Sequence, residues 1–133
     1  MVALASLMVG CTVINHKPAP SDWPKLTVIE APHSGLWSVI KHCYQYTPIW
    51  AKALAGFNVA CAEINLITMS CTVHAAPDDA ENRRHELDHC AGHDHVGSSV
   101  LSDLWSNWKA HMMSGNSAYH YVRHDGAVVA ARR

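Results

Sequence analysis

The spacing of apolar residues changes several times along the chain, and each change marks the edge of a short element. Residues 1–10, MVALASLMVG, are apolar almost throughout, whereas residues 12–25, TVINHKPAPSDWPK, hold three prolines and few core formers. The second stretch reads as an extended tether. Leu26-Thr27-Val28-Ile29 is a β-prone run closed by Pro32. Leu36, Val39, Ile40 and Cys43 recur at helical spacing, predicting a helix over Leu36 to Gln45. A second helix, Ile49 to Ala55, is opened by Pro48 and closed by Gly56. Two strands follow at about 58–64 and 69–75, joined by a turn near Asn65. Pro77-Asp78-Asp79 starts a helix of about residues 78–91 that stops at Gly92, because acidic residues favour the positive end of the helix dipole. Ser98 caps a last helix of about 100–112, in which Leu101, Leu104, Trp105 and Trp108 are the core anchors.

This pattern predicts a small α+β domain: a short antiparallel sheet, a helix at about 78–91 and a C-terminal helix at about 100–112. The folded part is expected over residues 26–115, after a segment 1–10 and a tether 11–25. Residues 116–133 are expected as a flexible tail. The total of 133 residues allows one domain. Ten Lys and Arg against 11 Asp and Glu leave a formal charge of −1, which argues against a nucleic-acid partner. No apolar run reaches the length of a membrane span.

Five cysteines are present, at 11, 43, 61, 71 and 90. Met8-Val9-Gly10-Cys11 resembles the lipobox of bacterial lipoproteins, which implies cleavage before Cys11, lipidation of its thiol, and an exported, periplasmic or membrane-anchored protein of bacterial type. A lipid on Cys11 would be its one link to a membrane. The remaining four cysteines allow three pairings. Cys61 and Cys71 flank a segment of hairpin length, so Cys61–Cys71 is favoured and, by elimination, Cys43–Cys90.

Histidine changes the picture most, with 11 copies in a chain that has one Phe. It is the commonest metal ligand among side chains. The informative segment runs His85-Glu86-Leu87-Asp88-His89-Cys90-Ala91-Gly92-His93-Asp94-His95 and contains HExxHxxGxxH. On a helix, His85 and His89 are four residues apart, so their imidazoles share one face about 6 Å apart. Glu86 lies about 100° round the axis and can reach a water at the metal without ligating it. His95 would point elsewhere if the helix ran on. Gly92 supplies the necessary reversal, since glycine takes the left-handed conformation cheaply at a helix end. Three imidazoles then leave a fourth position open, as in catalytic zinc sites. With this chain's composition as background, Gly and His fall at the two further required positions by chance in roughly 0.4% of cases.

The long motif resembles that of the metzincins, a superfamily of zinc metallopeptidases. The resemblance covers eleven residues. It implies a zincin-like domain in which His85, His89 and His95 bind Zn2+ and Glu86 is the general base, acting on a peptide or protein substrate. It also implies a Met-turn, for which Met112 or Met113 in His111-Met112-Met113-Ser114-Gly115 is the candidate. Cys71 to His74 is the candidate edge strand for an extended peptide. Among other zincin arrangements, no Glu follows Glu86, Asp103 lies in a helix without a recognisable signature, and His93 is an alternative to His95 just beyond Gly92. Asp88 reads as an ion pair with Arg84 or as a support for a ligand histidine. Glu63 is expected on a solvated strand face. His16, His33, His42, His74 and His111 have no ligand spacing and are expected on the surface or as satisfied core residues. A non-catalytic zinc-binding or zinc-stabilised lipoprotein is the alternative to a hydrolase.

Overall fold

The computed structural model describes residues 16–47, 49–53, 58–114, 122–124 and 127–129, the last two segments by their backbone. Residues 1–15, and with them the expected lipobox and Cys11, lie outside the described residues. In chain order the elements are β1 (Thr27–Glu30), α1 (Leu36–Cys43), α2 (Ile49–Ala53), β2 (Cys61–Asn65), β3 (Ser70–His74), α3 (Ala80–Cys90), α4 (Val100–Ser114), β4 (Val122–His124) and β5 (Ala127–Val129). A 3-10 turn at Tyr44–Tyr46 continues α1. The domain is α+β, as the hydrophobic pattern predicts.

β2 and β3 form the expected antiparallel hairpin. Its turn is closed by Asn65, whose Oδ1 accepts the amides of Ile67 and Thr68, the local bonding that makes Asn a turn residue. The sheet is mixed rather than antiparallel. Its order is β1-β3-β2-β5-β4, with β1 parallel to β3 and β5 parallel to β2. Apolar alternation marks a strand but carries no information on direction, which here is set by the helical connection between β1 and the hairpin. β3 is therefore an interior strand, paired on both sides, and Cys71 to His74 offers no free edge to a peptide. The tail also needs correction: the backbones of 122–124 and 127–129 pair with each other and onto β2.

Directly opposed residues in an antiparallel pair share a face. Ala62 faces Val73 and Ile64 faces Cys71, and these four pack with Leu26, Cys90, Leu101, Leu104 and Trp108 on one side of the sheet. Cys61 faces His74 and Glu63 faces Thr72 on the other side, where Cys61 joins Val39, Cys43, Tyr46 and Ala76. Each side has its own disulfide. Cys43–Cys61 ties α1 to β2, and Cys71–Cys90 ties β3 to α3. The expected pairs, Cys61–Cys71 and Cys43–Cys90, are both excluded by the register, which sends Cys61 and Cys71 to opposite faces of the hairpin.

Residues 16–25 are not a free tether. His16 forms a β-bridge with His95, and the Lys17 amide donates to the Asp94 carbonyl. Trp23 donates its indole N–H to the Cys90 carbonyl at 3.0 Å, and Asp22 pairs with Lys109 of α4. The prolines keep this segment extended while its side chains bind it to α3 and α4.

Candidate metal centre

Three local features place the motif histidines. Asp79 caps α3 by accepting the Asn82 amide, so the helix begins two residues later than the pattern predicts. At the other end Gly92 has φ +89°, its amide donates to the His89 carbonyl, and the His93 amide reaches back to Asp88. This pair of bonds is the glycine-terminated helix stop that reverses the chain. A Cβ on Gly92 would lie 2.5 Å from the Trp23 ring, so the position needs glycine for space as well as for conformation. The buried Asp94 then fixes the returning loop: Oδ1 accepts the His95 amide, and Oδ2 accepts the Leu101 amide at the start of α4.

The outcome is one converging group. His85 Nε2 is 3.2 Å from His89 Nε2 and 3.1 Å from His95 Nε2. Four donors around a tetrahedral zinc with bonds of about 2.0–2.1 Å stand about 3.3 Å apart, so this spacing fits an ion at the centre. His89 Nδ1 donates to the His93 carbonyl at 2.8 Å, which leaves its Nε2 lone pair facing the group. Burial, then His16 and His95, lowers the His85 pKa to about 4. Burial is also the leading cause that takes His89 to about 3. Both rings are thus held neutral, the form that binds metal. The His93 ring turns aside to the Lys17 carbonyl, so His95 is the third member and His93 contributes its backbone.

A fourth imidazole joins them. His16, His85, His89 and His95 offer donor atoms that all lie within 4.8 Å of one another. His16 Nδ1 is 3.3 Å from Asp88 Oδ2, and its Nε2 is buried without a hydrogen-bond partner. Of the two roles open to Asp88, the structure displays the support of a histidine. His16 stands 69 residues before His85, and no spacing rule could have linked them. Asp94 was equally silent in the sequence, because its role depends on where α4 starts.

Glu86 is 4% exposed, with an Oε2 that has no hydrogen-bond partner. Burial raises its pKa well above the ordinary carboxylate range. Met112 and Met113 sit in the last turns of α4 and are 60% and 88% exposed, so neither makes a turn beneath the imidazoles.

A second group lies on the other face of the sheet. His42 Nε2 is 2.7 Å from Glu63 Oε1, which also accepts the Tyr46 hydroxyl at 2.5 Å, and His74 Nε2 is 3.5 Å from Glu63 Oε2. The His74 imidazole, with Tyr46 and His42, brings the Glu63 pKa down to about 2. No ligand spacing marks these residues in the sequence, and Glu63 is half-buried and bonded rather than solvated. The chain has two sets of side chains able to hold a metal ion among its described residues.

No family model, no curated protein and no solved structure matches this chain. The likeness to metzincins therefore stands on residues 85–95.

Proposed function

We propose that the chain is a zinc-dependent hydrolase acting on peptides or proteins. The observation that carries this reading is the convergence of the His85, His89 and His95 nitrogens, together with the buried carboxyl of Glu86, the residue that follows His85 on α3. Bound zinc would supply Lewis acidity, acidifying a water and polarising the carbonyl under attack. Glu86 would take the proton from the attacking water and hand it to the departing amine. An isolated carboxyl in this environment stays protonated; a divalent charge held by neutral imidazoles favours its ionised form and restores it as a base. His89 is oriented for its part by the His93 carbonyl, and His95 by Asp94.

His16 supports a second reading. Four imidazoles would close a tetrahedral shell, and a closed shell suits a protein that holds zinc without turnover. Hydrolysis requires His16 to give up its corner. Like His95, to which an isolated β-bridge joins it, His16 belongs to no helix or sheet strand. Comparing wild type, Glu86→Gln and His16→Ala for zinc content and casein cleavage separates the two readings. The hydrolase reading expects all three to hold zinc, Glu86→Gln to lose cleavage, and His16→Ala to keep or raise it. Zinc without cleavage in both wild type and His16→Ala would leave the holding role.

Two disulfides fit an oxidising compartment, and no described helix is long and apolar enough to cross a membrane. We extend this to export as a bacterial lipoprotein anchored through Cys11. Mass spectrometry of the expressed protein checks it: a diacylglycerol on Cys11 is expected, and an unmodified Cys11 refutes the anchor.

A further inference from the structure

We propose that His42, Glu63 and His74 form a second divalent-metal site, independent of the α3 group, for a transition ion that accepts two imidazoles and a carboxylate. Three observations carry it. The three side chains each offer a donor atom within 4.8 Å of the others. Two nitrogens and one oxygen are a donor set suited to zinc and its neighbours. His74, 7% exposed at its side chain, aims Nε2 at the Glu63 carboxylate from 3.5 Å without a hydrogen-bond partner. A buried ring nitrogen in that state is costly unless something is placed between it and the oxygen.

The surroundings are those of a metal site rather than of an isolated ion pair. The other nitrogen of His74, Nδ1, is 2.8 Å from His33 Nε2, and His33 Nδ1 is 2.6 Å from the Ser38 hydroxyl. That chain orients the His74 ring, and with Nδ1 donating to His33 it leaves the Nε2 lone pair for a metal, as outer partners do for ligand histidines. Tyr46 does the same for the carboxylate. The Cys43–Cys61 bond holds the helix that carries His42 to the strand that carries Glu63. A cleft of about 490 Å³, lined by Pro32, His33, Ser38, Lys41, His42 and Gln45, opens beside the group and gives an ion a way in.

The test counts zinc on the metal-stripped, disulfide-intact chain after dialysis at a buffered low free-zinc concentration. Wild type is expected to hold two equivalents. His85→Ala/His89→Ala should hold one, His42→Ala one, and the three substitutions together none. His42 is partly exposed, and Glu63→Gln provides a second variant that keeps the shape of the side chain. Circular dichroism and retention of both disulfides show that each variant is folded. A shift of the His74 Nε2 resonance on zinc addition to His85→Ala/His89→Ala is the matching local signal. No zinc in folded His85→Ala/His89→Ala, or as much zinc in folded His42→Ala and Glu63→Gln as in wild type, would overturn the site whatever the α3 group does.

Discussion

The two faces of one sheet each carry a set of converging histidines, and each set is stapled by its own disulfide. On the α3 face the donors are nitrogens alone, and three of the four come from eleven consecutive residues. On the α1 face a carboxylate stands among the imidazoles, and the donors come from a helix and two strands. The difference lies in what positions the ligands. Local backbone geometry does most of the work on the first face: a helix repeat, a glycine stop and an aspartate that ties the returning loop to α4. Tertiary structure does nearly all of it on the second, through strand register and the Cys43–Cys61 bond. The first group should therefore be sensitive to local changes of backbone, and the second to anything that loosens the packing of α1.

The largest expected effect separates the faces outright. His89→Ala removes a donor from the α3 group and should lower zinc affinity there by more than the roughly 10–100-fold typical of losing an outer partner. Binding that depends on Glu63 should be unchanged. Isothermal titration of each variant would show one class of site weakened and the other intact. Equal weakening of both would mean that the groups are coupled through the sheet.

Removing one disulfide at a time comes next. Each closes a loop of similar size, with sequence separations of 18 and 19, so each Cys pair changed to Ser should cost about 3 kcal/mol. Guanidinium unfolding measures the cost. The sharper readout is which metal group suffers. Loss of Cys43–Cys61 should weaken the Glu63 group, and loss of Cys71–Cys90 the α3 group; the reverse pattern would break the assignment of one staple to each face. A smaller change, Gly92→Ala, brings a Cβ to 2.5 Å from the Trp23 ring at a φ of +89°. It should cost about 1–3 kcal/mol by overpacking and strain. Zinc affinity should fall on the α3 face alone.

How far the sequence could be read follows the same division. Periodicity located β1, α1, the hairpin, α3 and α4 to within a few residues, because amphipathic spacing and end signals are local. Gly92 foretold the reversal that brings His95 to His85. Strand direction, disulfide pairing and the interior position of β3 were beyond reach, since each depends on which segments become neighbours. The Cys61–Cys71 expectation shows why: a separation of hairpin length is right for two cysteines to meet, but the register puts them on opposite faces. His16 and the trio of His42, Glu63 and His74 escaped for the same reason. Their only trace was the excess of histidine itself.

The finest distinction between the faces is the pH at which each loses stability in the metal-free protein. His85 and His89 have folded pKa values of about 4 and about 3, below the 6.5 of a free imidazole. Between those values the unfolded chain binds more protons than the folded one, so stability falls as pH drops from 6.5 toward 3. Glu63 is lowered from 4.5 to about 2, and its contribution is present above 4.5 and lost as pH falls through that interval. Glu86 has the opposite sign. Its raised pKa means that its burial costs stability as pH rises above 4.5, when the unfolded chain releases the proton and the folded one retains it. Urea midpoints followed across pH in chelator-treated protein should thus decline in two overlapping stages on acidification. Replacing His85 and His89 should flatten the upper stage, and Glu63→Gln the lower. Glu86→Gln should raise the midpoint at neutral pH, with the gain shrinking as the medium is acidified. A Glu86→Gln variant less stable than wild type at neutral pH would mean that the carboxyl has a partner in the fold, and the case for it as a base held ready for substrate would lose its physical ground.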